Sequence, residues 1–119
     1  MDQKIELPDL TYLGNLIDEI GEISTKITFL DIDIKLREAE INKEASINPI
    51  YFQNNKPPSQ SYIENTWKFG GFNNELIPLR KELAQLEVKL EGLKMKYKLY
   101  IETIGIWRTQ TANERIISM

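Results

Sequence analysis

The chain has no cysteine and no histidine in its 119 residues. Those two absences exclude thiolate and imidazole zinc sites, cysteine nucleophiles, Ser-His-Asp triads and haem ligation through histidine. A surplus of positive charge is also missing. Lysine and arginine number 15 against 18 acidic residues, a formal charge of -3, so nucleic acid could be met only through a local patch. Long hydrophobic runs are lacking too. A cluster such as Ile104-Gly105-Ile106-Trp107 falls far short of the roughly 20 apolar residues that cross a bilayer. Met1-Asp2-Gln3-Lys4-Ile5-Glu6 has no basic region leading into an apolar stretch, so no signal peptide is expected. The expectation is a cytoplasmic protein with no membrane partner.

Two regular patterns occupy most of the chain. Leu13, Leu16, Ile20, Ile23, Ile27, Leu30, Ile34, Arg37 and Ile41 recur at alternating spacings of three and four, a heptad seam with one polar interruption at Arg37. Pro8 and Asp9 stand where such a helix would begin. Leu76, Leu79, Leu83, Leu86, Leu90, Leu93, Tyr97, Tyr100, Ile104, Trp107 and Thr111 repeat the spacing. Asn73 or Asn74 offers a cap there, Glu75 suits the first turn, and Pro78 is tolerable because it lies near the start.

Ser46 to Asn74 carries Pro49, Asn54, Asn55, Pro57, Pro58, Gly70 and Gly71, which breaks the helix and reverses the chain. Within it Ser61-Tyr62-Ile63-Glu64 reads as a capping box, and Gly70-Gly71 as the stop of the short helix it opens. The fold expected is all-α: an antiparallel two-helix coiled-coil hairpin with a long, aromatic-rich connecting loop that contains a short helix. It is read as one domain over 1–119, with helices at about 8–45 and 74–117 and the loop at about 46–73.

A thin hairpin leaves apolar residues over. Phe29, Ile32 and Leu36 follow one another on the face opposite the first seam, and Val88, Met95, Leu99 and Ile106 do the same on the second helix. Two-faced helices imply a further packing partner, so a homo-oligomer is expected. Gly14 and Gly21, seven apart, would suit close approach of a neighbouring helix.

Charge is unevenly divided: residues 1–45 hold 5 basic and 11 acidic side chains, and residues 74–119 hold 8 and 6. One reading is that these charges flank the seams and set the antiparallel pairing. Another rests on Arg80, Lys94, Lys98, Arg108 and Arg115 along one side of the second helix, with Tyr97, Tyr100 and Trp107 nearby. Cations that neutralise phosphates, interleaved with rings on which bases stack, make a single-strand binding surface. The loop aromatics Tyr51, Phe52, Tyr62, Trp67, Phe69 and Phe72 read either as a small core capping the hairpin or as a partner-binding surface, with Tyr62, Trp67, Phe69 and Phe72 as its residues. Asp31 and Asp33, or Glu38 and Glu40, stand two apart and so point to different sides of a helix. No metal ligand set, cofactor motif or catalytic constellation emerges, and a non-enzymatic role is expected.

The run from Glu75-Leu76-Ile77-Pro78-Leu79-Arg80-Lys81-Glu82 through Lys94-Met95-Lys96-Tyr97-Lys98 to Ile104-Gly105-Ile106-Trp107-Arg108-Thr109-Gln110 resembles the C-terminal half of phage recombination mediators of the UvsY type. The resemblance covers less than half the chain. It implies a helical oligomer, in the host cytoplasm, that binds single-stranded DNA and helps to load a recombinase, with Lys94, Lys96, Lys98 and Arg108 at the basic positions. Secreted helical hairpins with a Trp-x-Gly turn have about this length, but Trp67-Lys68-Phe69-Gly70 has one residue too many for that turn. Two functions therefore stand open. One is single-stranded DNA binding in recombination or replication. The other is a protein-interaction module, such as an assembly factor, virion component or inhibitor of a host enzyme, in which Phe29, Ile32 and Leu36 join the loop aromatics as contact residues.

Overall fold

The computed structural model describes residues 9–118, with side chains as far as Glu114. Two long helices, α1 (Leu10–Ile47) and α3 (Leu76–Ser118), pack against each other and are joined by a loop that holds the short α2 (Gln60–Ile63). Among the described residues there is no strand.

The heptad positions are the ones that turn inward. On α1, Leu16, Ile23, Ile34 and Ile41 are buried and Leu13, Ile20, Ile27 and Leu30 half-buried, with Ala45 continuing the seam at full burial. On α3, Leu76 and Leu93 are buried, and Leu79, Leu83, Leu86 and Leu90 half-buried. Alternating steps of three and four keep a stripe on one side of a helix. Each of its fully covered leucines and isoleucines stabilises the pair by about 1.5–3 kcal/mol.

The helix ends follow local chemistry. Asp9 caps α1, its Oδ1 accepting from the N–H of Thr11 at 2.9 Å and of Tyr12 at 3.3 Å; Pro8 lies outside the described residues. After Ile47, Asn48 caps a single 3-10 turn, Pro49–Tyr51, through its side chain. Asn54 and Asn55 both take the left-handed region, at φ 53° and 65°, while Gln53 and Lys56 exchange backbone hydrogen bonds at 2.9 and 3.0 Å. Asparagine tolerates that backbone better than most residues, which fits this tight two-residue reversal.

Two expected caps sit elsewhere. The cap of α2 is Ser59 rather than Ser61, its Oγ accepting from the Tyr62 N–H at 3.2 Å. Ser59 is itself extended (φ −66°, ψ 157°), as a capping residue is, and the helix begins at Gln60 directly after it. It runs on as a π turn, Glu64–Lys68, and stops at Gly71, whose φ is +85° and whose N–H donates to the Trp67 carbonyl at 2.7 Å. At the start of α3 the backbone does what Asn73 or Asn74 was expected to do. Leu76 N–H donates to the Gly70 carbonyl and Ile77 N–H to that of Asn74, which itself has φ 58°. Glu75 accepts the Asn73 N–H on Oε2 at 2.8 Å.

The chain divides into two compact units, one of residues up to Ser24 with those from Val88 onward, the other Thr25–Glu87. In the first, Tyr12 meets Tyr100 and Glu19 meets Lys89; in the second, Arg37 meets Glu75 and Glu38 meets Arg80. In the first unit the α1 number rises as the α3 number falls, as an antiparallel pair requires. Among the described residues no helix is long and apolar enough to cross a membrane.

Candidate interaction surfaces

In the unit Thr25–Glu87 the loop aromatics form a cluster built on Trp67. Tyr51 stacks on Phe72 with ring centroids 4.3 Å apart, and Trp67 meets Tyr51, Tyr62 and Phe72 edge-on at 5.3, 5.5 and 5.5 Å. Offset and edge-on geometries are the favourable ones for quadrupolar rings. Of the four residues singled out there, Tyr62, Trp67 and Phe72 belong to this cluster. Phe69 stands apart, 68% exposed, with the Arg80 guanidinium 4.7 Å from its ring centre.

Arg80 belongs to the fold. Its Nη2 donates to Glu38 Oε1 at 2.6 Å and to the Lys68 carbonyl at 3.0 Å, and its Nε to the Phe69 carbonyl at 2.7 Å. A guanidinium held by one carboxylate, two carbonyls and a ring has few donors left for a phosphate. The polar gap in the first seam is filled in the same way. Arg37 donates to Glu75 Oε1 from Nε and Nη2, and from Nη1 to Glu40. The Asn73 amide first, then the backbone N–H of Glu75 itself and Arg37, hold the Glu75 carboxyl below the usual carboxylate range, with burial opposing them. The Glu75 bond in turn raises Arg37.

On the outer face of α1 in this unit, Phe29, Ile32 and Leu36 are 63, 46 and 59% exposed. Their spacing of i, i+3 and i+7 places three large apolar groups in one row.

In the other unit the basic residues of α3 do not make one surface. Lys94 and Lys98 are four apart and share a side, whereas Lys96 lies about 200° round the helix from Lys94. Lys94 stands 3.9 Å from Glu91, and Lys96, Lys98 and Arg108 are exposed. Arg108 lines an apolar groove of about 920 Å³ with Leu10, Leu13, Ile101, Ile104 and Trp107. The side chain of Arg115 lies outside the described residues. Tyr100, expected among the stacking rings, packs on Tyr12 at 5.1 Å and donates its hydroxyl to the Asp9 carbonyl at 2.7 Å. Tyr97 is 37% exposed and Trp107 half-buried at seam positions.

The outer row of α3 is the most solvated apolar surface of this unit: Val88, Met95, Leu99 and Ile106 are 74, 66, 57 and 58% exposed. Gly92 lies in the same row, and a Cβ built there meets nothing within 4 Å; the same holds at Gly14 and Gly21 on α1. Among the described residues, then, no other helix approaches those glycines. Sequence reasoning found both apolar rows but passed over Glu38 and Glu75 as partners for the two arginines. Their only signal was opposite charge, without a register to join them.

No protein-family model, no curated protein and no solved structure matches the chain.

Proposed function

We propose that this chain is a non-enzymatic interaction module of the cytoplasm that self-associates and binds proteins through the outer faces of its helices. The observation that carries this reading is the exposed row Phe29, Ile32 and Leu36. Anchors at i, i+3 and i+7 are the pattern by which a helix is taken into an apolar groove. Covering each such side chain contributes about 1.5–3 kcal/mol, which is a strong incentive for a partner and a weak one for solvent.

The test is the mass of the full chain in solution by light scattering over a wide concentration range, for the wild type and for Ile32→Glu with Leu36→Glu. The reading expects a mass above one chain that falls with dilution and, where this row takes part, with the substitutions. One-chain mass at every concentration would overturn it.

A second reading is single-stranded DNA binding of the recombination-mediator kind, in a phage setting with a recombinase as partner. The exposure of Lys94, Lys98 and Arg108 favours it. The internal roles of Arg80 and Tyr100 count against it, because they remove a cation and a ring from the surface it needs. Anisotropy of a labelled single-stranded oligonucleotide across a salt series separates the two. Affinity that falls steeply with salt and collapses in a Lys94/Lys98/Arg108 triple alanine variant would favour DNA.

A further inference from the structure

Beyond Tyr100, α3 runs on past the start of α1. In the unit that holds both helix ends, Glu19 meets Lys89, Tyr12 packs on Tyr100, and the Tyr100 hydroxyl reaches the Asp9 carbonyl at 2.7 Å. Each step back along α1 is thus matched by a step forward along α3. α1 starts at Leu10, where Asp9 caps it, whereas α3 continues to Ser118. The seam positions Ile104 and Trp107 therefore lie past the last turn that α1 can offer them. With Leu10, Leu13 and Ile101 they line the groove of about 920 Å³, and the exposed Arg108 lines it too. Gly105 is also in the lining, and a Cβ built there meets nothing within 4 Å, so a backbone has room to come close.

We infer that this groove is the docking site of the chain's own residues 1–8, with Ile5 and Leu7 as the apolar side chains that enter it and Asp2 and Glu6 as the carboxylates offered to Arg108. The register selects this occupant. Continued past Asp9, the antiparallel order seen at Glu19, Tyr12 and Asp9 carries the preceding residues along 101–108 of α3. Length permits it. The stretch 101–108 rises roughly 10 Å at 1.5 Å per residue, and eight residues reach on the order of 25 Å. Composition fits as well. The segment, Met1-Asp2-Gln3-Lys4-Ile5-Glu6-Leu7-Pro8, brings two large aliphatic groups to an apolar lining and two acids to its one guanidinium. A groove filled from within the chain is closed to a partner. This goes beyond the reading of the outer rows and does not depend on it.

A chain without cysteine permits a direct test with double-cysteine variants of the full protein. Leu7→Cys is combined either with Gly105→Cys, in the groove, or with Ile106→Cys, one residue on and in the exposed outer row of the same helix. Under gentle oxidation at low concentration the first pair is expected to close a disulfide within one chain, read as loss of free thiols with no dimer formed. The second pair is expected to stay reduced. Equal cross-linking of both pairs, or none in the first, would overturn the inference. Fluorescence gives an independent arm. On a Trp67→Phe background Trp107 is the one tryptophan left in the sequence. Ile5→Asp with Leu7→Asp is then expected to shift its emission to longer wavelength, as water replaces the segment, with helicity in the far ultraviolet unchanged. An unshifted emission would mean that residues 1–8 do not cover the groove, and would sink the proposal.

Discussion

Arg37 and Glu75, 38 positions apart, are joined by two hydrogen bonds to one carboxylate oxygen, from Nε at 3.1 Å and from Nη2 at 2.8 Å. The only polar residue of the first seam is thereby tied to the residue just before α3. Both side chains keep about a third of their surface in solvent, 34 and 31%, so screening reduces what the pair contributes. Arg37→Ala and Glu75→Ala are each expected to destabilise the fold by about 1–2 kcal/mol, and the double variant by about 1 kcal/mol less than their sum. Denaturant unfolding of the four proteins measures the coupling; strict additivity would mean that the bonds contribute nothing.

The same carboxylate predicts a response to acid. Because the Asn73 amide and Arg37 lower the folded pKa of Glu75, its contribution is present above the unfolded value of about 4.3. It is lost as pH falls through the lower folded value. Wild type and Glu75→Gln should differ in stability at neutral pH, and the gap should close towards acid. A gap independent of pH would contradict this.

Gly71 and Gly14 should respond to alanine with opposite signs. At Gly71, φ is +85° and a Cβ would stand 2.5 Å from Cδ of Glu75, a group already held from two sides. Gly71→Ala should cost about 2 kcal/mol or more. At Gly14, in the second turn of α1 and with open space around it, alanine should stabilise by about 1 kcal/mol. Thermal melts of the two variants on one background provide the comparison.

Trp67 is the ring that Tyr51, Tyr62 and Phe72 share. Trp67→Ala is expected to destabilise by about 2–3 kcal/mol, the lower end because the residue is only half-buried. Near-ultraviolet circular dichroism should lose the contribution of the Trp67 cluster while helicity measured in the far ultraviolet is largely retained. An unchanged near-ultraviolet spectrum would mean the rings are not held in this arrangement.

Much of the hairpin is legible in the sequence because a heptad is local information. The spacing of Leu16, Ile23, Ile34 and Ile41 needs only helix geometry to define a face, and a second matching seam needs only a reversal between them. Capping was less legible. Ser61 and Ser59 are the same residue type two positions apart, and only the backbone shows that Ser59 is the extended one whose side chain accepts from the Tyr62 N–H. The site was less legible still. Arg80 and Lys98 both read as free cations on α3, yet one is enclosed by Glu38 and two loop carbonyls while the other is exposed.

Periodicity and composition by themselves determined that this protein is helical, that it doubles back around an aromatic loop, and that its helices carry a second apolar row. These properties depend on intervals of three and four residues and on what proline, glycine and asparagine allow a backbone to do. Only the tertiary structure decided which charges remain for a partner. Whether Arg37 and Arg80 face solvent or a carboxylate depends on which residues of a distant segment arrive beside them, and packing settles that register.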